Sequence, residues 1–271
     1  MSILDTIVAH KRNEVASRKF ALPLHVLREQ LPATPSPRDF LSAVLSSARP
    51  APRVIAEIKR RSPSKGILRP DLDPFDLARI YDQNGASAIS VLTDSHFFGG
   101  SLEDFRAVRA TTTLPLLRKD FIIDPYQLHE ARLAGADAVL LIAAILTTEQ
   151  LASYTHLASD LGMAALVEVH NRAELDSALA AGSLLIGINN RDLHTFDVTL
   201  DTTRVLRPLI PPGITVVSES GIHTPADRQA LLDLNVDALL IGESLLVSPD
   251  IAQATRLICG IPSRESERSV A

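Results

Sequence analysis

Eight short apolar runs, each followed by a helix-length segment, constrain this chain more than any other feature of its sequence. The runs are Arg53–Lys59, Ala88–Thr93, Leu114–Asp120, Ala136–Ala143, Met163–Val169, Ser183–Asn189, Ile214–Ser218 and Asp237–Gly242. Apolar residues continue through each run almost without alternation, the pattern of strands covered on both faces in a parallel sheet. Their starts recur every 20 to 35 residues, the size of one strand–helix unit in a barrel of about 250 residues. A doubly wound open sheet gives the same local signal. No G-x-G-x-x-G follows the first run, which weakens the dinucleotide-binding form of that alternative.

The intervening segments carry helix punctuation. Asp73-Pro74, Asp124-Pro125 and Thr224-Pro225 each set a capping side chain before Pro at the first helical position, where the missing N–H had no partner to lose. Ser101 to Asp104 and Asn171 to Glu174 have capping-box spacing. Asn84-Gly85, Gly135, Gly162 and Gly182 mark helix stops, because Gly accepts the left-handed conformation.

The first fifty residues stand outside the repeat. Ile3, Leu4, Ile7, Val8 and Val15 fall near helical spacing on one face, with Lys11, Arg12 and Glu14 elsewhere. Ser36-Pro37 opens a second expected helix, carrying Phe40, Leu41, Val44 and Leu45. The expected layout is one domain: a helical extension over 1–50 packed on an α/β unit over 51–262, and a polar tail, 263–271, that frays.

Bulk properties narrow the class. Of the 271 residues 46% are hydrophobic and 22% charged, ordinary for a globular protein. A net charge of −5 speaks against nucleic acid as partner. The single cysteine, Cys259, allows no internal disulfide and no Cys-rich metal site, which fits the reducing cytoplasm. Charges break every apolar run of MSILDTIVAHKRNEV, so it does not read as a signal peptide. No run reaches the roughly 18 residues of a membrane helix.

Ionisable residues recur at the same end of several runs. Glu57 and Lys59 lie two apart and share a strand face. A basic loop, Arg60 to Gly66, follows them. Lys119 ends the third run, Glu168 lies near the end of the fifth, and Asn189 ends the sixth with Arg191 just beyond. Each alone reads as a salt-bridged strand cap, but together they form a candidate acid/base set. Ser218-Glu219-Ser220-Gly221 and Gly242-Glu243-Ser244 place small residues after the seventh and eighth runs, the usual phosphate position in such barrels. In this reading Glu243 offers its N–H and turns its carboxylate away. The eight histidines show no metal spacing. His170 reads as a surface or water-bridging residue, and His96 and His194 as solvated loop residues.

In order along the chain, EIKRRSPSKG (57–66), SVLTD (90–94) with FFGGS (97–101), LRKDF (117–121), VEVHN (167–171), GINNRDL (187–193) and SESGI (218–222) closely resemble indole-3-glycerol phosphate synthase. The resemblance extends over residues 3 to 260. EIKRRSPSKG with LRKDF is highly specific; SESGI is shared by many phosphate-binding barrels. The resemblance implies a (β/α)8 TIM barrel with an N-terminal helical extension. It also implies decarboxylating ring closure of 1-(2-carboxyphenylamino)-1-deoxyribulose 5-phosphate to indole-3-glycerol phosphate, CO2 and water, without metal or other cofactor. By motif position, Lys119 would be the general acid on the ketone oxygen. Lys59 would pair with the anthranilate carboxylate or share proton delivery, and Glu168 would serve the dehydration as base or proton partner. Glu57 and Asn189 would hold sugar hydroxyls and tune the lysines, with Arg191 and Glu219 completing the polar shell. Ser62, Ser220, Gly221, Gly242 and Glu243 would surround the phosphate, and Phe98 would pack on the anthranilate ring. The implied protein is a monomer or weak homo-oligomer, with room for a non-covalent pathway partner.

Two rivals differ in kind. A sugar-phosphate isomerase such as phosphoribosylanthranilate isomerase works with a Cys/Asp pair, yet Cys259 lies in a helical pattern far from any strand end. A non-enzymatic scaffold need not keep Glu57, Lys59, Lys119, Glu168 and Asn189 together.

Overall fold

A computed structural model describes residues 2–45, 53–62, 65–192 and 195–261. The tail 263–271 and His194 lie outside the described residues. Eight parallel strands close into a barrel in sequence order: β1 (Arg53–Ile58), β2 (Ala88–Leu92), β3 (Leu116–Lys119), β4 (Ala138–Ile142), β5 (Ala164–Val169), β6 (Leu185–Asn189), β7 (Thr215–Glu219) and β8 (Ala238–Ile241). Pairing of Arg53 with Ala238 and Val54 with Leu239 seals the last strand to the first. All eight expected runs are strands, and the closed barrel excludes the open sheet.

Side-chain alternation divides the strands into two apolar layers. Ile55, Leu117, Leu140, Leu166, Val217 and Leu240 point into one interior cluster. Val54, Ile58, Leu116, Val139, Val167 and Ile186 face the outer helices. Both faces are dry, so continuous Val/Ile/Leu runs are what this architecture demands.

The outer helices that matter for the site are α4 (Pro74–Gln83), α5 (Leu102–Thr111), α6 (Tyr126–Leu133), α7 (Thr148–Asp160), α8 (Arg172–Ala180), α9 (Asp201–Leu206), α10 (Pro225–Asp233), α11 (Glu243–Leu246) and α12 (Ile251–Ile258). Asp73 and Thr224 cap α4 and α10 as expected. Two boxes differ from the sequence pattern. Ser101 Oγ accepts from the Asp104 N–H, but the Asp104 carboxylate holds the Arg60 guanidinium. Asn171 caps α8, while Glu174 accepts from both the backbone N–H and the ring of His170.

The extension comprises α1 (Ile3–Ala21), α2 (Leu24–Gln30) and α3 (Phe40–Val44). The expected second helix begins at Phe40 rather than at Ser36-Pro37, because Asp39 accepts from the Ser42 N–H and caps it. The helix α2 has no counterpart in the sequence reading. Phe40 and Val44 join the interior cluster and plug one end of the barrel. That end is the N-terminal one, since Asp137, just before β4, accepts from the Arg38 N–H.

At the opposite end α1 lies across the mouth. Lys11, expected on the polar side, is fully buried, and its ammonium lies 2.9 Å from Asp94, Asp120 and Glu14. A closed circuit of alternating charge runs on from there. Glu14 meets Arg18 at 2.5 Å, Arg18 meets Glu130 at 2.8 Å, Glu130 meets Arg118 at 2.8 Å, and Arg118 meets Asp120 at 2.9 Å. Each buried charge thus has opposite charge on two sides, the condition under which burial of ions is tolerated. The circuit rivets α1 to β3 and α6, and therefore to the strand that carries Lys119.

Candidate active site

A cavity of 460 Å³ opens at the C-terminal ends of the strands, within the ordinary size of small-molecule sites. Glu57, Lys59, Ser62, Phe98, Lys119, Glu168, Asn189, Arg191, Ser220, Gly221, Gly242 and Glu243 all line it. Glu219 does not. Its strand continues one residue beyond the expected end, so the side chain still points inward and lies one layer beneath the wall, fully buried.

Lys119 stands over that sunken carboxylate. Its Nζ lies 2.6 Å from Glu219, 3.4 Å from Glu57 and 3.8 Å from Glu168. Lys59 donates to Glu57 Oε1 at 2.6 Å. Residues brought from four separate strand ends therefore form one cluster, because the inward positions of alternate strands meet at one level of the barrel.

Three carboxylates face two ammonium groups, and the titrations follow that imbalance. Burial pushes Glu57 up, but Lys59 and Lys119 outweigh it and hold its carboxyl below the usual range. Burial pushes Lys119 down, yet Glu219, Glu57 and Glu168 together hold it well above an ordinary lysine. The carboxylate cage thus keeps Lys119 protonated at neutral pH. Glu168 and Glu219 titrate as a pair. Burial and the neighbouring carboxylates keep Glu219 up despite Lys119. Glu168 is held down against burial by His170 and Lys119. At neutral pH the cluster holds a charged Lys119, an ionised Glu168 and a Glu219 that readily takes a proton.

Two glycines make room for this cluster. A Cβ on Gly242 would lie 2.6 Å from Glu57 Oε1, and one on Gly187 2.3 Å from Glu219 Oε1. Gly242→Ala is expected to displace Glu57 and with it Lys59. A displacement near 1 Å costs roughly 10²-fold in rate, so kcat should fall by about that factor while the far-ultraviolet circular dichroism stays that of the parent. An unchanged kcat would show that Glu57 is not needed where it stands.

The other end of the cavity holds the residues expected to surround a phosphate. Ser220 has φ 67° and Gly221 φ 76°, and such strain in a non-Gly residue concentrates at functional sites. Of the basic loop, Arg60 is taken up by Asp104 and the Leu72 carbonyl, while Lys65 and Ser62 line the cavity. Arg61–Ser62 pairs with Gly66–Ile67 as a small antiparallel hairpin where the sequence predicts a loop. The Glu243 carboxylate is not turned away as expected. It accepts from Lys65 Nζ at 2.5 Å and lies 3.7 Å from Arg191. Burial raises its carboxyl, and those two cations with Lys59 hold it low instead.

Sequence reasoning missed the apolar roof. Ile3, Leu4 and Ile7 of α1 line the cavity; their spacing identified an apolar face but not what it covers. Phe121 also lines it, with its ring 5.9 Å from that of Phe98. Asp120, quoted only as part of a motif, anchors Lys11. His170, expected at the surface, is nearly buried between Glu168 and Glu174. His96 is exposed and stacks on His10 at 4.4 Å. Among the described residues no group of three or more His, Cys, Asp or Glu is placed to hold a metal ion, and no helix is long and apolar enough to cross a membrane.

Comparison with known proteins agrees with this geometry. A family model described as indole-3-glycerol phosphate synthase matches residues 4–258. A protein of that name from Dehalococcoides mccartyi is 52% identical over 257 residues, covering 94% of this chain and 98% of the relative. Another, from Roseiflexus castenholzii, is 52% identical over 268 residues, covering 96% and 98%. Among solved structures, a thiamine phosphate pyrophosphorylase from Pyrococcus furiosus superposes with a TM-score of 0.58 at 17% identity, over 76% of this chain and 93% of its own. A chain of the tryptophan synthase complex from the same organism gives 0.58 at 14%, over 77% and 98%. At such identities these two speak for the barrel fold alone. With the family model spanning nearly the whole chain and its relatives matched over almost their full length, the chain belongs to the indole-3-glycerol phosphate synthase family, the decarboxylating lyases of tryptophan biosynthesis.

Proposed function

We propose that Lys119, Lys59, Glu168, Glu57 and Asn189 carry the family's reaction in this chain, on 1-(2-carboxyphenylamino)-1-deoxyribulose 5-phosphate. In the first step the ring carbon bearing the carboxylate attacks the ketone carbon, and Lys119 gives a proton to the ketone oxygen. The raised affinity of Lys119 for its proton is no obstacle, because a developing alkoxide is more basic still. A positioned acid of this kind is worth about 10²–10⁴ in rate. Lys59 pairs with the substrate carboxylate until it leaves as CO2 and the ring regains its aromaticity. The new hydroxyl then departs as water with a proton delivered by Lys59, and Glu168, ionised at neutral pH, takes the proton from the adjacent carbon. Glu57 and Asn189 hold the sugar hydroxyls.

The observation that carries this reading is the position of the Lys119 ammonium. It lies within 3.8 Å of carboxylates from β1, β5 and β7, on the wall of a cavity that also holds Phe98. Phe98 and Phe121 suit an anthranilate ring. Ser62, Ser220, Gly221, Gly242 and Glu243, with Arg191, suit a phosphate at the other end. Glu219 acts from beneath, through Lys119, rather than on the substrate. Anchoring both ends bends the substrate toward attack geometry.

We read residues 1–50 and 51–262 as one catalytic domain, since Ile3, Leu4 and Ile7 complete the wall. The protein acts in the cytoplasm as a monomer or weak homo-oligomer, with room for a non-covalent pathway partner. The direct test is to incubate the purified chain with the substrate, without added metal, and follow indole fluorescence. Fluorescence rising in step with CO2 release is the expected result. Absence of product at saturating substrate would remove the reading.

A further inference from the structure

We propose that His170 is a positioning residue that aims the Glu168 carboxylate at the cavity and supplies the positive charge that lets it act as a base. The proposal rests on the reading of Glu168 as proton acceptor and extends it by one residue.

The geometry begins at the start of α8. Glu174 Oε1 accepts from Asn171 Nδ2 at 2.6 Å, and Oε2 accepts from the His170 backbone N–H at 2.8 Å. The same Oε2 lies 2.9 Å from His170 Nδ1. Glu174 is thus held at three points, and it fixes the imidazole ring in turn. The opposite ring nitrogen, Nε2, faces Glu168 Oε1 at 3.4 Å. Only 9% of the His170 side chain and 4% of the Glu168 side chain are exposed, so water cannot screen the contact. At 3.4 Å it is a charge contact rather than an aligned hydrogen bond, and such contacts tighten when substrate closes a site.

Charge state follows from the surroundings. Burial disfavours the imidazolium, but Glu168 and Glu174 overcome it and raise His170 to about 10. Both ring nitrogens therefore carry protons at neutral pH, each aimed at a carboxylate. On its other side Glu168 faces Lys119 from β3 and Glu219 from β7. Lys119 is shared among three carboxylates, whereas His170 serves Glu168 alone among the inner three. It is the asymmetric element that leaves Glu168 ionised and lets Glu219 carry the proton the cluster retains. A neutral side chain at position 170 would let Glu168 compete for that proton.

The test is the pH profile of kcat and KM for the parent, His170→Gln, Glu174→Gln and Glu168→Gln. One pH unit corresponds to tenfold in protonation. For His170→Gln the acid limb of kcat should move up by about one unit. On that limb the rate should fall by about tenfold, with KM within about twofold, and it should recover to the parent's by neutral pH, where Glu168 is ionised in both. Glu174→Gln keeps the imidazole but weakens its charge, so it should shift the limb the same way by less. It also carries the readout if His170→Gln fails to fold. A loss equal at every pH, with the acid limb unmoved in both variants, would make His170 a packing residue and overturn the proposal. Glu168→Gln separates the two levels: at the parent's rate it overturns the role of Glu168 itself, whereas a slow Glu168→Gln beside an unshifted His170→Gln overturns only the role of His170.

Discussion

Lys119→Met is expected to lower kcat by about 10²–10⁴-fold, the range of a lost general acid, while product binding remains measurable. The substitution keeps most of the aliphatic stem and removes the ammonium that touches Glu57, Glu168 and Glu219 together. It does not leave three bare anions. Glu219 already takes a proton readily because burial and its carboxylate neighbours favour the neutral form, and Glu57 keeps Lys59 at 2.6 Å. Proton uptake therefore limits the loss of stability, and the proposed phosphate end, lined by Ser220, Gly221 and Lys65, is undisturbed. Two readouts separate chemistry from folding. Product should still raise the melting temperature of the variant, since any ligand that prefers the folded state does so. Lys119→Arg should restore charge but not rate, because a guanidinium holds its proton more firmly and spreads it over a planar fork. A Lys119→Met enzyme within threefold of the parent's kcat would remove Lys119 from proton transfer.

The barrel was legible because its strands are dry on both faces, which leaves an unbroken apolar signature at regular spacing. The upper ring was legible for a related reason. Lys59, Lys119, Glu168 and Asn189 interrupt apolar runs at the same end, and charge inside such a run needs an explanation. What escaped the sequence depends on distance along the chain. Two of the three counter-ions of Lys11 are Asp94 and Asp120, whose sequence positions carry no mark of their partner, so a lysine on an amphipathic helix reads as solvated. The resemblance places Glu219 in the polar shell and the apolar run ends at Ser218, but the strand continues through Glu219, and in a structure of period two one residue decides between loop and interior. His170 had its partner Glu174 in plain view four residues on, but the pair Asn171 and Glu174 already explained that glutamate as a helix cap. A residue with two duties shows only the commoner one. The carboxylate of Glu243 failed for another reason: its partners Lys65 and Arg191 come from loops whose closure no local pattern encodes.

Lys11→Met is expected to be the most destabilising single change in the extension. Removing one partner from a buried ion pair costs about 3–5 kcal/mol, because Asp94 would remain buried without its cation and Asp120 with Arg118 alone. For a chain of this size each kcal/mol is worth roughly 2–4 °C in Tm, so a fall near 10 °C is expected. The exposed pair Arg172 with Asp176, at 63% and 55% exposure, is the contrast: Arg172→Ala should cost less than about 1 kcal/mol. The loss need not be global. The helix α1 is held at the mouth by the charge circuit and a few apolar contacts, and elements of that kind open before the core does. Protease sites within α1 should therefore become accessible below the main transition. Because Ile3, Leu4 and Ile7 form part of the cavity wall, KM should rise with them. The acid response has a defined sign. Burial pushes Asp120 up, but Arg118 and Lys11 outweigh it and hold it well below its ordinary 3.8. Its stabilisation is thus present above about pH 3.8 and lost as pH falls further toward the folded-state value. Lys11→Met removes one of the two cations responsible, so the variant should lose less stability than the parent between pH 4 and pH 2. A variant that melts within 1 °C of the parent, with the parent's KM and acid limb, would mean that α1 is seated by its apolar face alone and that the buried circuit contributes nothing to holding the roof.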